Sequence, residues 1–137
     1  MNDVEERVAI QAECKTAVLN ALPLQNVFLV CDCEGCEFDL LDPSRAPDLA
    51  GCHTLVELHD FACEGVTAAL QSRFAATHEI TLINTAPRDP DAYTCLRGVK
   101  RSDRLAALSE ARPGQMQWAF MQAKRIMALD ATGDKSN

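Results

Sequence analysis

Two short stretches of this chain concentrate side chains able to do chemistry: CDCEGCEFD from residue 31 and ELHD from residue 57. Acids crowded together repel one another and cost stability unless they face water or bind a cation or an amine. Asp32, Glu34 and Glu37 therefore read as the polar mouth of a crevice. Glu34 and Glu37 could equally cap the turn that follows, since a helix N-terminus favours negative charge. Asp32, at the end of an apolar run, fits that role less well. Glu57 and His59 are two residues apart and share one face of a strand. A histidine there serves either as a hydrogen-bonded scaffold residue or as a base. If the two stretches end adjacent parallel strands, Asp32, Glu34, Glu57 and His59 converge, and Asp60 lies beside them. Such convergence is more specific than either stretch alone. Among these groups His59 is the one suited to general-base work near neutral pH.

The cysteines pose a separate question. Cys31-x-Cys33-x-x-Cys36 offers three thiols, whereas a structural zinc site wants four ligands, usually as two spaced pairs. No second CxxC follows; Cys52, Cys63 and Cys95 stand alone. Cys31 and Cys33 point to one face of a strand and Asp32 to the other. Cys31 lies in the apolar body of the run and reads as a small buried hydrophobe. No metal site is expected from the thiols, and a redox pair through Cys33 and Cys36 lacks a thioredoxin-like context. A small cysteine-rich metal- or thiol-binding module stays open as an alternative.

The elements that must position these residues alternate. Residues 4–21 predict an amphipathic helix ended near Pro23. NVFLVC (26–31) is a continuous apolar run suited to a strand covered on both faces, and Gly35 allows a sharp turn. CEFDLLDP is a helical turn stopped by Pro43. HTLVELHD (53–60) is a second strand, CEGVTAALQSRF (63–74) a helix and HEITLINT (78–85) a third strand. A Pro-punctuated loop leads to SDRLAALSEAR (102–112), a helix with Ser102 as N-cap and Pro113-Gly114 as its stop. MQWAFMQAK (116–124) is a fourth strand. This alternation argues an α/β fold, whose ligands gather at the carboxyl ends of its strands. Residues 1–130 are expected to form one domain and 131–137 a disordered tail.

Composition narrows the function classes. The net charge of −7 disfavours a nucleic-acid partner, because such affinity rests on Lys and Arg releasing counterions. Arg97, Lys100, Arg101 and Arg104 make only a local patch. The apolar runs are strand-sized, so no membrane span is expected. The acidic N-terminus has no apolar leader core, and seven cysteines without an export signal suit a reducing cytoplasm.

Taken together, V-C-D-C-E-G-C-E-F-D-L-L, L-V-E-L-H-D and R-F-x-x-T-H-E-I resemble the FkbM-like family of S-adenosylmethionine-dependent methyltransferases. In that family one strand typically ends in Asp-x-Glu-Gly-x-Glu and the next carries Glu-x-His. The first motif is matched at Asp32, Glu34, Gly35 and Glu37, the second at Glu57 and His59. The resemblance spans roughly residues 24–124. It implies a partial Rossmann-like class I methyltransferase sheet, the equivalents of strands four to seven. MQWAFMQAK would be the last, antiparallel strand, inserted beside HEITLINT. It further implies Asp32 and Gly35 beside S-adenosylmethionine, with Asp32 and Glu34 bordering the donor methyl. Glu57 and His59 would stand on the acceptor side, and Glu37 and Asp60 would contact a small hydroxyl or amine substrate.

One departure from the family shapes the expectation. Glycines at 35, 51, 65, 98, 114 and 133 never fall in a GxG spacing, and no ribose-binding acid follows such a turn. The expected protein is therefore a half-sheet whose N-terminal cofactor-binding half is missing, from a truncated or split methyltransferase or a non-catalytic remnant. Alone it should bind S-adenosylmethionine weakly or not at all. The strand at 27–31 would be an unprotected edge, open to an N-terminal half-domain or to a second copy.

Overall fold

The computed structural model describes residues 7–109 and 114–124. In chain order these form α1 (Thr16–Ala21), β1 (Phe28–Cys31), α2 (Glu37–Leu40), a 3-10 turn at Pro47–Gly51, β2 (His53–Leu58), α3 (Val66–Phe74), β3 (His78–Asn84), a 3-10 turn at Thr94–Leu96, α4 (Arg101–Ser109) and β4 (Gln117–Ala123). The strands make one mixed sheet in the order β1-β2-β4-β3. β1 runs parallel to β2, with Phe28 opposite His53 and Cys31 opposite Val56. β4 is inserted antiparallel between β2 and β3. Parallel neighbours need a crossover, and α2 with the first 3-10 turn supplies it. The carboxyl ends of β1 and β2 consequently lie side by side.

Period-two alternation sorts the sheet into two faces. Leu29, Thr54, Met121 and Ile80 form one cross-strand row, and Cys31, Val56, Ala119 and Leu82 the next. On these rows pack Leu19, Leu24, Leu41, Leu49, Val66, Leu70 and Phe74 from the helices and turns, closing the core. The opposite face carries Val30, Leu55, Phe120 and Thr81, then Glu57, Trp118 and Ile83. Phe28 and Val30 there are 55% and 59% exposed, and the Phe28 ring meets Phe120 at 6.3 Å.

This arrangement corrects the expectation that NVFLVC is covered on both faces. Its apolar side chains alternate between core and open face, and α1 and α3 pack against the core side. The first helix is also shorter than the predicted 4–21. Residues 7–15 are not in an α-helix, and Val8 and Ile10 are exposed. A short helix depends on burying its apolar stripe, and only Thr16 and Leu19 reach the core. Helix α4 begins at Arg101, which puts Ser102 inside it rather than at its cap; Ser102 bonds the Asp103 carboxylate instead. The expected helix end at 110–112, Pro113 and the tail at 131–137 lie outside the described residues. Among the described residues no helix is long and apolar enough to cross a membrane.

Candidate functional site

Beyond β1 the chain turns tightly through residues 32–36. Glu34 has φ 53° and Gly35 φ 107°. The second value lies where glycine alone is comfortable, and a Cβ on Gly35 would stand 3.0 Å from that of Ala62. The turn lets the Glu37 side chain fold back over it. Glu37 Oε1 accepts the backbone N–H groups of Cys33 and Gly35, each at 3.3 Å. Burial pushes this carboxyl up, but its own backbone N–H, those of Gly35 and Cys33, and the bond to His59 together hold it below the ordinary glutamate value. Short helix α2, which carries Glu37, is clamped by Arg73 of α3. The Arg73 guanidinium stacks 4.6 Å from the Phe38 ring centre and donates to the carbonyls of Phe38 and Leu41.

His59, the first residue past β2, is 1% exposed and occupies the centre. Its Nδ1 lies 2.6 Å from Glu37 Oε1. Its Nε2 faces Glu34 Oε2 at 3.5 Å, Asp32 Oδ1 at 3.7 Å and Glu57 Oε2 at 3.7 Å. Phe61 covers the imidazole edge-on at 5.6 Å. Asp32 and Glu34 reach solvent, with side chains 45% and 78% exposed, whereas Glu57 is buried. The result is a buried imidazole at the floor of a pit with two movable carboxylates at its mouth. Such a pit can take up a proton, an amine or a metal cation.

A cleft of about 440 Å³ adjoins it on the open face. Glu57 and Trp118 from the sheet, and Thr85, Arg88, Leu108 and Met116 from the following segments, line it. Glu57 belongs to both the pit and the cleft.

In comparisons with known proteins, no family model matches this chain, and no curated protein or solved structure matches it. The site is therefore read from its own geometry.

That geometry unites Asp32, Glu34, Glu57 and His59, as the spacing of the two stretches implies. Gly35 makes the turn. Glu37, expected at the substrate, is fully buried behind the imidazole and supports it. The Asp60 carboxylate turns to the start of α3, accepting the Thr67 backbone N–H at 3.2 Å and bonding its hydroxyl. Cys31 is buried and its thiol is pushed up to about 11 by burial; burial likewise raises Cys33, whose Sγ lies 3.6 Å from that of Cys31. Cys36 is exposed. The three thiols of the first stretch do not gather as one ligand set, whereas Asp32, Glu34 and His59 do, their donor atoms all within 4.8 Å of one another. Phe61 and Arg73 complete the site without a sequence signal. Each acts through a contact made only in three dimensions, and neither residue type in isolation marks a site.

Proposed function

We propose that this chain carries the acceptor side of an FkbM-like, S-adenosylmethionine-dependent methyltransferase, moving a methyl group to a small hydroxyl or amine acceptor when completed by a donor-binding half. The observation that carries the reading is the convergence of Asp32, Glu34 and Glu57 on His59 Nε2 at the carboxyl ends of two adjacent parallel strands. The position of β4, antiparallel between β2 and β3, agrees with the strand arrangement that the resemblance implies. The adjoining cleft has the size of a small-molecule pocket. His59 Nε2 is the atom through which the acceptor would be activated. Bound S-adenosylmethionine would supply an electrophilic methyl group and would leave as the neutral thioether, while the pit around His59 Nε2 would receive the acceptor's proton. Seven free thiols suit a reducing, cytoplasmic setting.

The chain, tagged and purified from its own host with whatever completes it, should transfer label from methyl-labelled S-adenosylmethionine to members of a panel of small hydroxyl and amine acceptors. His59→Ala should remove that transfer while the assembly still binds the donor, and Asp32→Ala should remove it together with a weakening of donor binding. Label transfer indifferent to both substitutions, or none by the wild-type assembly, would overturn the reading. Calorimetric titration of the chain alone should give weak donor binding or none. A dissociation constant near 1 μM, about 8 kcal/mol of binding, would contradict the need for a second half.

A further inference from the structure

The geometry points to a divalent-cation site in which Asp32, Glu34 and His59 are the ligands and Glu37 orients the imidazole. Glu37 Oε1 already accepts two backbone N–H groups, and these can only donate, so the short contact to His59 is a bond donated by Nδ1–H. In the neutral ring this fixes the lone pair on Nε2. That nitrogen is aimed at carboxylate oxygens 3.5–3.7 Å away, beyond the roughly 3.2 Å limit of a formed N–H···O bond. A buried lone pair facing carboxylates is repelled by them. A cation between them turns each repulsion into a bond.

The spacing fits an ion. Two ligands, each about 2.1 Å from a shared ion at a tetrahedral angle, stand roughly 3.4 Å apart. Nε2 lies 3.5 Å from the Glu34 oxygen and 3.7 Å from the Asp32 oxygen. Both carboxylates are on exposed side chains free to close the remaining gap by rotation. A carboxylate on the far nitrogen of a ligating histidine is the usual outer support of such sites, fixing the tautomer and ring orientation. One imidazole and two carboxylates suit manganese, iron or zinc better than magnesium. Three protein ligands leave a position open for water or a substrate oxygen. The inference stands apart from the methyl-transfer reading; where both hold, the ion on Nε2 would hold the acceptor oxygen and ease its deprotonation.

The chain, stripped with a chelator, is titrated with manganese chloride, and free Mn²⁺ is followed by its paramagnetic resonance signal. One ion per chain is expected, with magnesium chloride competing at least tenfold less well. Asp32→Asn and Glu34→Gln, at exposed positions that leave the fold intact, should each weaken binding at least tenfold. His59→Gln should abolish it, and Cys36→Ser should leave it unchanged. Manganese should also raise the thermal midpoint of the wild-type chain but not of Glu34→Gln. No saturable binding at millimolar manganese would overturn the site. Binding indifferent to Asp32→Asn and Glu34→Gln, or magnesium binding as tightly as manganese, would overturn it as well.

Discussion

The site depends on one buried bond. Glu37 serves three donors with a single oxygen: His59 Nδ1 and the amides of Cys33 and Gly35. Removing it leaves the buried imidazole N–H without an acceptor and takes the acceptor from two half-buried amides, and a buried group left unpaired costs about 1–3 kcal/mol. Glu37→Ala is therefore expected to lower unfolding free energy by roughly 1–3 kcal/mol, measured by urea denaturation. Glu37→Gln keeps an acceptor oxygen and should lose clearly less. The thiols offer a second residue-scale test. Cys14, Cys36 and Cys95 are exposed, and Cys31 and Cys52 are buried. Burial raises both buried thiols, and the thiolate is the reactive form. A thiol reagent should modify the exposed three quickly and reach Cys31 and Cys52 only on unfolding. Period-two spacing made the pairing of Glu57 with His59 legible in the sequence, along with the opposed directions of Asp32 and Cys31. It could not reveal Glu37 as a support, because its partners are backbone amides and one ring nitrogen, and backbone donors carry no residue identity.

At the scale of elements, the turn after β1 decides whether α2 can present Glu37 at all. Gly35→Ala must hold an L-residue at φ 107° and bring a methyl to 3.0 Å from Ala62. The backbone term alone is about 1–2 kcal/mol, so the variant should be destabilised by at least that much in urea. Adding Ala62→Gly should recover the contact part but not the backbone part. A second joint, between β2 and β3, is sensitive to pH. His78 is buried; Nε2–H donates to the Cys52 carbonyl at 2.8 Å and Nδ1 lies 2.8 Å from the Thr77 hydroxyl. Burial is the main cause holding its value below the ordinary histidine range, with His53 and Lys124 also opposing its charge. Below about pH 6.5 the unfolded chain thus takes up more protons at this position than the folded one, and stability falls with pH. His78→Gln should flatten that part of the stability curve and leave the region above it unchanged in slope. The alternation of helices and strands was legible from apolar runs and their breaks. The depth of cover was not: NVFLVC reads as doubly buried because both its faces are apolar, and composition alone does not say which face a helix meets. Residues 7–15 fail as a helix for the converse reason, since a periodic stripe gains nothing where no surface receives it.

For the molecule as a whole, β1 is the point of exposure. Within the described sheet it pairs with β2 on one side only, and no Pro, Lys or other charge lies between Val27 and Cys31 to blunt the free side. Its open face adds Phe28 and Val30, continued across the sheet by Phe120 and by Ile83, which is also exposed. An apolar strand with unpaired N–H and C=O groups recruits another strand, whether from a second copy, a completing half-domain or an aggregate. The purified chain is accordingly expected to sediment at micromolar concentration as more than a monomer. The position of the test substitution matters. Leu29 packs against the core, so Leu29→Lys would confound dissociation with unfolding. Val30→Lys places the charge on the open face, where it should shift the chain toward monomer with less than about 0.5 kcal/mol change in stability. A wild-type monomer whose amides on the free side of Phe28–Cys31 resist hydrogen exchange would mean that another part of the chain already covers this edge, and the expectation of an outside strand would fall.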